Sequence, residues 1–167
     1  MKTLAVDLDT AKRLWTTGVG AILSQSIPMD PQPTPDPKHR SVDPPHRGEP
    51  NWTWWGGNHT QNVYHSAKPL YKSGEKILLL EEFGFSRFKF VEFKGGEATV
   101  RLRVQYRAST RENIPVYHWE SAKDMAPLIA RMLMSVDSCE PMATAGKWIW
   151  LVTGHLIEYP APLESKS

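Results

Sequence analysis

The segment from Arg87 to Arg107 constrains the fold more than any other part of the chain. Two runs, RFKFVEF at 87–93 and ATVRLRVQYR at 98–107, flank Lys94-Gly95-Gly96-Glu97. Apolar and polar residues alternate along half-buried strands, and a Gly pair supplies the positive φ that a tight hairpin turn needs. In the second run Val100, Leu102, Val104 and Tyr106 are set to face one side, with Arg101, Arg103, Gln105 and Arg107 on the other. The expected hairpin has one apolar face and one basic face.

Short elements surround it. Residues 9–17 read as a helix capped by Asp7 or Asp9 and ended by Gly18, with Ala11, Leu14 and Trp15 on one face for packing against a sheet. Residues 21–27 suit a strand, and KILLLEEF at 76–83 is a buried strand ending in Glu81 and Glu82. Residues 121–130 suit a short helix capped by Ser121 and limited by Pro127, followed by a strand over 131–138. The last strand is 147–158, with Trp148 and Trp150 two apart and assigned to the core. Many short strands with few helices imply an α+β fold built on a small barrel. The 167 residues fit a single domain over 1–167, with 159–167 as a frayed tail.

Residues 28–50 hold eight of the 14 prolines, which all but excludes regular structure there. A loop or arm this long is functional or disordered. It runs into Trp52, Trp54 and Trp55, which are expected to pin the arm to the body. The net charge of +2 is too small for binding to nucleic acid by bulk electrostatics, so any such role needs a local patch. The single Cys139 excludes an intramolecular disulfide and a multi-cysteine zinc site, and makes a reducing compartment the expectation. His39, His46, His59 and His65 have no tight spacing on a regular element, so neither a metal nor another cofactor is expected. No secretory leader and no membrane span are read from the chain, which points to the cytoplasm.

Several segments occur in an order that resembles small phage and prophage proteins of the ASCH group, within the PUA-like superfamily. They are the N-terminal helix ending in Gly18, the PQP at 31–33, the Trp-rich 52–55, KSGEKILLLEEFGF at 72–85, YRA at 106–108, Trp119 with Met125 and Pro127, and GKWIWLVTGHLIE at 146–158. The resemblance implies a small PUA-like β-barrel with short flanking helices, a long Pro-rich loop and a cleft beside the barrel. It also implies a bacterial cytoplasm and binding of RNA, DNA or modified nucleosides; one branch of the group hydrolyses N4-acetylcytidine. That branch uses a Lys, a Thr and a Glu. The group's G-x-K-T-x-T-x-R signature is absent here: Gly20 and Ala21 stand where the Lys and first Thr belong, and only Glu81 has a counterpart. Gly and Ala can neither donate a proton nor attack a carbonyl, so catalysis by that route is not expected.

The candidate ligand residues are Glu81, Tyr106, Arg107, Trp119, Trp52, Trp54 and Trp55. Glu81 is the one catalytic candidate; it either faces a cleft or ends a strand in solvent, and alternation allows only one of Glu81 and Glu82 into a cleft. Arg101 and Arg103 either meet phosphates or form a solvated face. The three Trp of 52–55 either stack a base or clamp the arm. The reading these choices favour is a non-catalytic module that binds a nucleotide or nucleic acid. One alternative is an amidohydrolase for an acylated nucleoside, with Lys72, Lys76 or Ser24 replacing the missing groups. Another is a phage protein that inhibits a host protein through the Pro-rich arm.

Overall fold

The computed structural model describes residues 1–29, 42–55, 63–110, 115–144 and 146–158, with the side chains of residues 64, 88–90, 101 and 102 outside that description. The Pro-rich stretch 30–41, His39, His59 and the tail 159–167 therefore lie outside the described residues.

The only α-helix among the described residues, α1 (Leu8–Thr17), begins and ends as its sequence dictates. Asp7 caps it, accepting from the Thr10 N–H at 2.8 Å, and this hydrogen bond holds the Asp7 carboxyl below its usual range. Gly18 closes the helix at φ 73, where the missing Cβ removes the left-handed penalty. Ala11 and Leu14 are buried as expected, but Trp15 is half exposed.

The strands are β1 (Lys2–Ala5), β2 (Val19–Ser26), β3 (Val42–Asp43), β4 (Trp52–Trp55), β5 (Val63–Ala67), β6 (Lys76–Leu80), β7 (Phe83–Lys94), β8 (Glu97–Tyr106), β9 (Val116–Glu120), β10 (Met132–Thr144) and β11 (Lys147–Ile157). They form three open sheets, ordered β1-β6-β10-β11-β2, β3-β4-β5 and β8-β7-β9. The fold is thus α+β and strand-rich, and no closed barrel is formed among the described residues. No helix among them is long and apolar enough to cross a membrane.

The expected hairpin is β7–β8, turning at Gly95 and Gly96 with φ of 62 and 84. β7 starts four residues earlier than its alternation suggested, because a register shift between Phe85 and Lys89 breaks the period. Among the described residues the apolar face is buried near the hairpin's base, where Val104 and Tyr106 pack on a core of Leu78, Leu80, Phe83, Met125, Ala130 and Leu133. Toward the tip, Val91, Val100 and Phe93 are exposed. The helix expected over 121–130 is two 3-10 turns, Ala122–Asp124 and Pro127–Ile129, because Pro127 lacks the N–H that a continuous helix would need. Ser121 caps the first turn through the Lys123 N–H.

The chain divides into two compact units, and the division falls within β2, β10 and β11. The first holds residues 1–20, 76–135 and 155–167; the second holds 21–75 and 136–154. In the second unit Trp54, Trp148 and Trp150 form the aromatic core, with ring centroids 6.0 and 6.4 Å from Trp54 and near-perpendicular planes. Trp148 and Trp150 are thus buried, as their spacing indicated.

Candidate functional site

Glu81 and Glu82 link β6 to β7, and neighbouring side chains on an extended backbone part to opposite sides. Each finds its own arginine.

Glu81 is 1% exposed and takes Arg131, whose Nε donates to Oε1 at 2.9 Å and whose Nη2 donates to Oε2 at 3.3 Å. A buried carboxylate needs such a partner, and the paired geometry is the strong form of the contact. The Arg131 guanidinium carbon lies 3.7 Å from the Trp15 ring centroid and 4.1 Å from that of Tyr106. The Tyr106 hydroxyl donates to the Ile129 carbonyl at 2.5 Å. Burial pushes the Tyr106 phenol above its ordinary value; Arg131 pulls it down and Glu81 pushes it up by smaller amounts. Both Glu81 oxygens and the Tyr106 hydroxyl thus have protein partners.

The second cluster occupies the other face of the β8-β7-β9 sheet. Its frame is the cross-strand row Gln105, Gly84 and Trp119. A Cβ on Gly84 would stand 2.7 Å from the His118 carbonyl oxygen and 3.3 Å from Trp119 Cε3, so the indole lies against bare backbone. The Arg107 guanidinium carbon is 5.8 Å from the Trp119 ring centroid, at the outer limit of a cation–π contact. Arg107 is also held by Glu82, through Nη1 to Oε2 at 2.5 Å and through its backbone N–H to the Glu82 carbonyl at 2.9 Å. His118 and Glu120, which flank Trp119 and by alternation point to the other side of β9, pair with each other. Alternation places exposed Arg103 on the same face as Gln105; the Arg101 side chain lies outside the described residues. This surface offers a half-buried aromatic ring, an exposed guanidinium and a carboxylate that orients it.

The three Trp of β4 belong to the second unit. Trp54 is core, and its Nε1 has no hydrogen-bond partner among the described residues. Trp55 donates from Nε1 to Asp43 Oδ2 at 2.8 Å, which fastens β4 to β3 and so holds the end of the Pro-rich stretch. Trp52 lines a cleft of about 430 Å³.

The structure therefore brings Glu81 to Tyr106 and Arg107 to Trp119, and puts these two pairs on opposite sides of one sheet. Sequence reasoning missed Arg131 altogether and took Trp15 for a core residue. The one available signal was the carboxylate at the end of an apolar run, which demands a cation from somewhere in the chain.

No protein-family model matches this chain, and no curated protein and no solved structure matches it either.

Proposed function

We propose that this protein is a non-catalytic module that recognises a nucleotide or nucleic acid through the outer face of the β8-β7-β9 sheet. The observation that carries the reading is Trp119 laid over Gly84 with the Arg107 guanidinium beside its ring. A base stacks on such an indole whatever its identity, and the arginine meets a phosphate or a base edge. Arg103 extends the positive surface along β8. In this reading the open sheets are a variant of the PUA-like barrel, and the protein works in a bacterial cytoplasm, where buried Cys139 stays a free thiol.

Two observations support the absence of catalysis. Glu81 spends both oxygens on Arg131. Gly20, at the position of the ASCH lysine, brings no group that can move a proton, and it packs closely on Leu14, whose Cδ2 would lie 2.6 Å from an added Cβ.

The test is a tryptophan-fluorescence titration with single-stranded DNA, single-stranded RNA and a nucleoside panel that includes N4-acetylcytidine. Saturable quenching that weakens with salt and falls about tenfold in Trp119→Ala and in Arg107→Ala is the expected result. No response to any ligand sinks the reading and moves the weight to a protein partner. Turnover of the acetylated nucleoside, lost in Glu81→Ala, would restore the hydrolase alternative.

A further inference from the structure

We infer that the cleft of the second unit is a binding site for a free nucleotide. The inference uses no residue of the sheet face and does not rest on the nucleic-acid reading. The cleft lies wholly within the second unit, and its volume of about 430 Å³ falls in the range of small-molecule sites.

Its lining carries three chemistries. Trp52, Tyr71 and the rings of Pro45, Pro50 and Pro69 supply flat apolar walls suited to an aromatic ring. Exposed Lys68 and Lys72 supply two mobile ammonium groups, the usual point-charge partners of a phosphate. Asp137 and Glu140 supply carboxylates, which accept hydrogen bonds from hydroxyl and amino groups. A nucleotide presents a complement to each: a planar heteroaromatic ring, an anionic phosphate, and ribose hydroxyls with exocyclic amines. A hydrocarbon ligand would leave four charged side chains unused, and a bare anion would leave the aromatic wall unused. Asn51 sits in the chain between lining residues Pro50 and Trp52, and its buried Oδ1 has no donor among the described residues.

Cys139 lines the same cleft. Burial raises its thiol first of all, against smaller pulls from the Tyr71 and Leu70 backbone N–H groups, so it stays protonated at neutral pH. It is the only cysteine in the chain. At mildly alkaline pH, where part of the thiol ionises, the rate at which a small thiol reagent modifies it reports on access to this cleft.

The experiment is calorimetric titration of the full chain with AMP, GMP, CMP, UMP, inorganic phosphate and a proline-rich peptide, followed by timed modification of Cys139. The expected result is saturable binding of at least one nucleotide, weakened about tenfold in Trp52→Ala and severalfold in Lys72→Glu. Saturating nucleotide should slow Cys139 modification. Lys72→Glu changes an exposed side chain, so its result stands even if Trp52→Ala fails to fold. Protection of Cys139 separates this site from the sheet face, where a bound nucleotide would shield no cysteine. Absence of heat with every nucleotide, equal binding in Lys72→Glu, no protection of Cys139, or binding of phosphate or the peptide alone would each overturn the inference.

Discussion

Glu81 and Glu82 are neighbours in the chain; each holds an arginine, and each arginine meets an aromatic ring. The two clusters differ in solvent. The Arg131–Glu81 side chains are 21% and 1% exposed, whereas those of Arg107–Glu82 are 44% and 29% exposed. The same three residue types thus serve two ends. Taken out of water, a carboxylate and a guanidinium must satisfy each other, and the pair becomes part of the framework that holds α1, β8 and the segment before β10. Left in water, the pair contributes little stability and keeps its donors within reach of a ligand. Burial, and not residue identity, separates the structural pair from the pair proposed for recognition.

Removing one partner from each cluster tests the comparison most severely. Arg131→Ala leaves Glu81 charged and uncompensated in the interior, and should cost about 3–5 kcal/mol in urea unfolding. Exchanging both residues of the pair for leucine should recover most of that loss. A cost below about 1 kcal/mol for Arg131→Ala would mean that the inner pair behaves as a surface pair, and the contrast would collapse.

The outer cluster depends on shape. In Gly84→Ala the new methyl group meets the His118 carbonyl oxygen at 2.7 Å, and backbone cannot step aside as a flexible side chain can. Overpacking of this kind should cost about 1–3 kcal/mol and shift the near-ultraviolet signal of Trp119. An unchanged spectrum would show that the indole does not lie on Gly84 in solution.

How much of this was legible beforehand depends on the distance over which each contact acts. Local chemistry was readable: the Asp7 cap, the Gly18 stop, the Gly95-Gly96 turn and the Trp148–Trp150 core all follow from residues near one another in the chain. Alternation also implied that Glu81 and Glu82 would part. Arg131 was not readable. It lies 50 residues from Glu81, after a proline-broken segment with no periodicity, and nothing local marks it as the partner. Trp54 and Trp52 share a sequence neighbourhood but divide between core and cleft, because only the placement of Trp148 and Trp150 decides which is covered. The exposed tip of the hairpin was hidden for the same reason: the pattern marks which face is apolar, not whether anything covers it.

Arg107→Ala is the counterpart of Arg131→Ala and should change unfolding free energy by less than about 1 kcal/mol. The same substitution should reduce nucleic-acid affinity about tenfold, so stability and binding separate in the outer cluster. If stability falls by more than about 2 kcal/mol, Glu82 and Arg107 belong to the framework as well, and any affinity loss would be a folding effect.

The smallest effect concerns the Tyr106 phenol. Its proton is held more tightly in the folded chain, chiefly because burial disfavours the phenolate. The unfolded chain releases that proton near pH 10. Below that value both states keep it, and the contribution to stability is complete. Above it the unfolded state ionises first, so the folded state binds more protons and stability falls as pH rises through the raised folded value. Urea midpoints measured between pH 8 and 11 should therefore decline more steeply in the parent chain than in Tyr106→Phe, after allowance for the other tyrosines, which both chains share. Arg131→Ala sharpens the same measurement. It removes the cation that pulls the phenol down, so the alkaline decline, which starts where the unfolded chain ionises in both, should continue to a higher pH than in the parent. A decline that levels off at the same pH in both would show that Tyr106 does not sense the charge stacked on its ring.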